Sequence, residues 1–156
     1  MPNTTFREMY DFFLAGITDD MFMEMTKEDT EAMLQEILVA ALPHFEFPKW
    51  ADPFDLDFTK KEFNTHLTSE EMLIIRQYMI VEWLSFQLAN VDLVRQRYSS
   101  SDFKFTSQAA HMKQLQDLRD SYDYKGLKLQ RLYSRRRRGA DGVFEPTADM
   151  FREGVV

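Results

Sequence analysis

One stretch governs what this chain folds into. Between Met72 and Val94 the residues are apolar nearly all round: Leu73, Ile74, Ile75, Met79, Ile80, Val81, Trp83, Leu84, Phe86, Leu88, Val91 and Leu93. Immediately before it, Thr68, Ser69, Glu70 and Glu71 read as a capping box, with Thr68 as N-cap and Glu71 reaching back to it. A helix that starts there and runs to about Tyr98 spans about 30 residues, or about 45 Å at the helical rise. Such a helix is buried on most of its sides. It is therefore expected to be the central element, with the rest of the chain packed around it.

Three further helices are legible. Over residues 5–16, Phe6, Met9, Tyr10, Phe13 and Leu14 recur at helical spacing, and Gly16 is a stop signal. Thr26 caps a second helix whose first turn carries Glu28 and Asp29 and whose apolar face is Met33, Leu34, Ile37, Leu38 and Ala41; Pro43 ends it near Leu42. A fourth begins at Thr106 or Ser107 and reaches about Arg135, with Met112, Leu115, Leu118, Tyr122, Leu129 and Leu132 as its apolar stripe. Gly126 falls on that stripe, where it permits close backbone approach.

Residues 45–67 break the helical pattern with Pro48, Pro53 and six aromatics. Phe54, Leu56 and Phe58 alternate with Asp55 and Asp57, which is strand periodicity. This reads as an ordered excursion, either a hairpin or an extended arm. Phe103 and Phe105 alternate around Lys104, and a short ribbon pairing them with residues 54–58 is one expectation. From Gly139 the helical period is lost, and residues 139–156 are expected to be an extended tail. The fold class expected is mainly α: a four-helix bundle-like domain over residues 1–138, with a long central helix and a short β excursion, followed by that tail.

Composition narrows the chemistry. The 156 residues are 44% hydrophobic and 29% charged, as in a globular domain. With no cysteine, disulfides, thiolate metal sites and cysteine catalysis are excluded. No apolar run approaches the roughly 18–20 residues of a membrane span. Residues 1–10 lack a basic region followed by an apolar stretch, so no secretory signal is expected. His44, His66 and His111 are far apart and read as helix-end or surface histidines. Asp52, Asp55 and Asp57 lack the glycine and distal glutamate of a calcium loop. Phosphate-loop, zinc and nucleophile-elbow motifs are missing. The expectation is a non-enzyme with no cofactor and no metal.

Charge is segregated along the chain. The net charge is −7, yet residues 1–67 hold 14 acidic against 5 basic groups, whereas Arg135, Arg136, Arg137 and Arg138 are consecutive. The acidic half reads either as a contact surface for unlike charge or as a solvated face. The four arginines suit, in order, carboxylates on a protein partner, phosphates, and the negative end of the preceding helix. Beyond them, Val143, Phe144, Met150 and Phe151 place apolar anchors on the tail, either for docking or as a free end.

Several of these features together resemble the head–tail connector (adaptor, or head-completion) proteins of tailed bacteriophages. The resemblance covers residues 5–138. It rests on Met9-Tyr10-Asp11-Phe12-Phe13-Leu14, on Thr18-Asp19-Asp20-Met21 before the second helix, on the long apolar third helix, and on Leu129-Gln130-Arg131-Leu132-Tyr133 ahead of a basic tail. The excursion over residues 45–67 departs from the simplest four-helix members and leaves adaptor, stopper and other neck components open. The resemblance implies a virion protein made in the host cytoplasm. It implies a ring of copies, typically a dodecamer, below the portal protein, extending the DNA channel and joining the next neck or tail protein, with no membrane contact. In that setting the four arginines with Val143, Phe144, Met150 and Phe151 would dock to the portal. Asp19, Asp20, Glu28 and Asp29 would lie on a channel or inter-subunit surface, where negative charge lets DNA slide without sequence-specific binding. The alternative is a small helical regulatory or nucleic-acid-binding module acting through the arginine cluster.

Overall fold

The computed structural model describes residues 1–17, 24–46, 55–97, 105–134, 136–138 and 144–146; for 91–97, 105–108 and 134 onward the description is of the backbone. The fold is mainly helical, with α1 at Phe6–Leu14, α2 at Lys27–Ala41, α3 at Ser69–Arg97 and α4 at Phe105–Ser134. Two small antiparallel sheets complete it, β1 (Leu56–Asp57) with β2 (Glu62–Phe63) and β3 (Arg136–Arg138) with β4 (Phe144–Pro146).

Each helix start follows from its cap. At α1 the Thr5 hydroxyl accepts the Glu8 N–H at 3.2 Å while the Glu8 carboxylate accepts the Thr5 N–H at 2.7 Å. The Thr5 N–H, and the Thr5 hydroxyl donating at 2.9 Å, hold the Glu8 carboxyl below its usual range. At α2, Thr26 accepts from the Asp29 N–H at 3.2 Å. At α3 the expected box is present: Thr68 accepts from Glu71 N–H at 3.3 Å, and the Glu71 carboxylate accepts the Thr68 N–H at 2.7 Å. Each reciprocal pair satisfies amide donors that a helix start otherwise leaves unmade.

α3 is the central element, in contact with α1, α2 and α4. Its Ile74, Ile75, Tyr78, Met79, Ile80 and Leu84 join Phe6, Met9 and Phe13 of α1, and Leu34, Ile37 and Leu38 of α2, in one core. The α1–α3 contact includes a cation–π pair, with the Arg76 guanidinium 4.3 Å from the centre of the Phe12 ring. α4 runs antiparallel to α3, since Tyr133 near its end meets Glu71 at the start of α3.

The stripe expected on α4 holds along its middle, where Leu115, Tyr122 and Leu129 pack against the core and Gly126 is buried, and is displaced toward one edge. Leu118 and Leu132 are exposed, whereas Gly126, Gln130 and Tyr133 are buried. Hydrophobicity alone centres the face on the leucines. The observed face is set by two polar side chains, Gln130 and Tyr133, which reach partners on α3 and so turn that side of the helix inward.

Residues 55–67 form a hairpin. Leu56 pairs with Phe63 and Asp57 with Glu62. Asp57 accepts the N–H groups of Thr59 and Lys60 at 2.9 and 3.0 Å, and Lys61 closes the turn with a φ of 55°. Those two amides, with the Lys60 ammonium nearby, hold the Asp57 carboxyl below its usual range. The hairpin reading of this excursion holds, while the ribbon expected with Phe103–Phe105 involves Phe54, Phe103 and Lys104, which lie outside the described residues. The partner of β1 is the adjacent β2, which a four-residue turn delivers without a long loop closure, and Phe105 opens α4. Phe58 belongs to the turn and is about half exposed, not to the strand. The chain's first residues extend this sheet: the Phe63 N–H donates to Thr4 O at 2.8 Å and the Thr4 N–H to Thr65 O at 3.0 Å.

Candidate functional site

The most developed polar constellation lies where α2 ends. Pro43 cannot continue the helical ladder, and a 3-10 turn, Leu42–His44, carries the chain across α3. The His44 ring stacks on Tyr78 at 5.1 Å and 7° between planes, and its Nε2 stands 2.6 Å from Glu82 Oε1. From α4, the Gln130 amide donates to His44 O at 2.7 Å and to the Tyr78 hydroxyl, while its Oε1 accepts the Glu46 N–H at 2.8 Å. Gln130 is buried with all of this bonding in place. One side chain thus ties the turn, α3 and α4 together.

A cleft of about 370 Å³ opens beside the constellation, lined by Pro43, His44, Tyr78 and Gln130 and by Glu46, Asp123 and Leu127. Burial pushes the Tyr78 phenol up, the Gln130 bond opposes this, and the charges of Asp123 and Glu46 add to the rise. The phenol therefore stays protonated at neutral pH. Neither Glu46 nor Asp123 forms an ion pair among the described residues. The cleft can accept a cationic, hydrogen-bond-donating group against an apolar wall. Among the described residues, no group of three or more histidine or carboxylate side chains is placed to hold a metal ion, and no helix is long and apolar enough to cross a membrane.

Gly126 has the role its position on the stripe suggested. A Cβ there would sit 2.8 Å from Tyr78 Cζ. The ring cannot swing aside, because His44 stacks on it and Gln130 holds its hydroxyl. Alanine normally gains about 1 kcal/mol over glycine inside a helix. Here the overlap should outweigh that gain, and Gly126→Ala is expected to lose about 1–2 kcal/mol. Urea denaturation checks it; a stabilised variant would mean that the α3–α4 contact gives way freely.

The residues singled out in the sequence fall in separate places. Glu28 and Asp29 are exposed in the first turn of α2, where Asp29 accepts a hydrogen bond from the Thr26 hydroxyl at 2.7 Å. Asp19 and Asp20 lie outside the described residues, as do Arg135, Val143, Met150 and Phe151. Arg136, Arg137 and Arg138 form β3, which pairs with Phe144, Glu145 and Pro146 in the register Arg136↔Pro146, Arg137↔Glu145, Arg138↔Phe144. The tail expected to be merely extended thus has a paired ribbon in its first part. Asp141-Gly142, a hairpin-turn dipeptide between the two strands, is the signal that foretells it.

The cleft itself went unread in the sequence. Glu82, a lone carboxylate inside the apolar run from Met79 to Leu84, was the available clue, since a charge there needs a partner. No protein family, curated protein or solved structure matches the chain.

Proposed function

We propose that this chain is a structural, non-enzymatic connector of a tailed-phage neck. In this reading its copies form a ring below the portal that extends the DNA channel and carries the next neck or tail protein. The observation that carries the proposal is the incomplete cover of α4. This helix of 30 residues turns one side to α3 and leaves Leu118, Tyr124, Leu127 and Leu132 exposed along its length. Exposed large apolar side chains on an otherwise well-packed domain suit lateral packing against another protein surface. The segregation of charge between an acidic first half and four consecutive arginines adds a second, electrostatic element for contacts between unlike surfaces. α3 and α4, each about 45 Å long at the helical rise, are of a scale to form one wall segment of a channel.

The expected behaviour is a monomer or weak oligomer in isolation and a ring in the presence of the portal. Light scattering on the purified chain, with and without the portal ring of the same phage, tests it. Deleting residues 139–156 removes β4 and should abolish portal docking while leaving the helical circular-dichroism signal intact. Failure of the full-length chain to engage a portal ring overturns the proposal. Portal-independent DNA binding whose affinity falls log-linearly with salt would favour the nucleic-acid-binding alternative.

A further inference from the structure

We propose that the cleft between His44, Tyr78 and Gln130, walled by Glu46 and Asp123, is the seat of an arginine side chain from the arginine cluster (residues 135–138) of a neighbouring copy. The inference rests on the connector reading for the presence of a neighbour, and on the cleft for the chemistry.

Three features select this occupant. First, the cleft is concave and its two carboxylates have no ion-pair partner among the described residues, so a cation entering it is drawn by both. Second, its polar edge offers acceptors to a planar donor, while Leu127 and Pro43 give the apolar wall along which an arginine stem lies. A guanidinium fits such a mixed wall better than a compact ammonium, being more weakly hydrated and rich in donors. Third, the chain carries its own supply of this group in four consecutive arginines.

The occupant comes from another copy because of helix geometry. Asp123 lies twelve residues before Arg135, and eleven of those steps are within α4, so the separation along the axis is about 17 Å. That is farther than an arginine side chain reaches. An arginine at the end of α4 is thus too far along the axis to pair with Asp123, and we assign that carboxylate to a neighbour's cluster. The acidic cleft of one copy and the basic ribbon of the next would then form a head-to-tail contact, the kind that closes into a ring.

The test uses the full-length chain and a labelled peptide of residues 134–147, with a control peptide in which the four arginines are glutamine. Fluorescence anisotropy should detect binding of the arginine peptide only, weakening as salt rises. In the double variant Glu46→Gln, Asp123→Asn, affinity should fall at least about tenfold. Both side chains are exposed and Glu46 holds Gln130 through its backbone, so circular dichroism and the denaturation midpoint should stay at wild-type values. Equal affinity of wild type and double variant, or equal binding of both peptides, overturns the proposal. So does a portal-dependent ring that assembles normally from the double variant, an outcome that leaves the connector reading standing. Cleft-dependent peptide binding by a chain that engages no portal would instead sustain the cleft contact and overturn the connector reading.

Discussion

Glu71→Ala is expected to lower folding stability by about 3–5 kcal/mol, read by urea denaturation at neutral pH. Glu71 is fully buried, and its carboxylate accepts the Thr68 N–H at 2.7 Å and the Tyr133 hydroxyl at 2.6 Å. One residue therefore closes the start of α3 and pins the end of α4 to it. Its position in the first turn of α3 places the negative charge at the positive end of the helix dipole, which offsets part of the cost of burying it. Alanine removes the acceptor of one buried donor, the Tyr133 hydroxyl, at about 1–3 kcal/mol, and of the part-buried Thr68 N–H, and leaves a void where the side chain was. Glu71→Gln keeps the shape and one acceptor oxygen and should cost less than half as much. Tyr133→Phe removes a single bond and should cost about 1–2 kcal/mol. If Glu71→Ala behaves like a surface substitution, within about 0.5 kcal/mol of wild type, the capping network does not hold the two long helices together.

The contrast between Glu71 and Gln130 explains what was legible in the sequence. The starts of α2 and α3 were readable because a cap is a local device: Thr26 and Thr68 each bond a residue three positions away, so the signal lies within four letters, whereas α4 starts at Phe105, ahead of the Thr106 or Ser107 expected to cap it. α3 was readable because its apolarity is nearly continuous. Gly126 was readable because a glycine on an apolar stripe has few other uses. The facing of α4 was legible only in part, through Leu115, Tyr122, Gly126 and Leu129, and its displacement toward one edge was not. That displacement depends on Gln130 and Tyr133 finding partners 52 and 62 residues away, and two polar letters on a helix do not announce an inward direction. The excursion reads in sequence as either a hairpin or an extended arm, and the short turn at Thr59 and Lys60, which brings β2 back onto β1, decides for the hairpin. The cleft was invisible for the same reason as the displacement of the α4 face, since His44 and Glu82 are 38 residues apart and acquire meaning only once Pro43 has ended α2.

Phe63→Ala is expected to cost about 3–5 kcal/mol, the range for deleting a fully buried aromatic ring. The hairpin that carries Phe63 is short, and two-residue strands have little stability of their own. What holds it is Phe63, fully buried and edge-on to Phe6 of α1 at 5.6 Å, together with the two backbone bonds to Thr4. Removing the ring takes away the reason for the hairpin to lie against α1, and with it the anchor for residues 4–6. Phe58 is the internal control. Its ring also meets Phe6, at 5.9 Å, but it is half exposed in the turn. Phe58→Ala should therefore cost less than about 1 kcal/mol, because most of that ring never leaves water. Equal small losses from both substitutions would make the excursion an arm resting on a finished helical core. The expected difference makes it part of that core, in which Phe63 packs with Phe6 of α1 and the residues of α3 that line the same cluster.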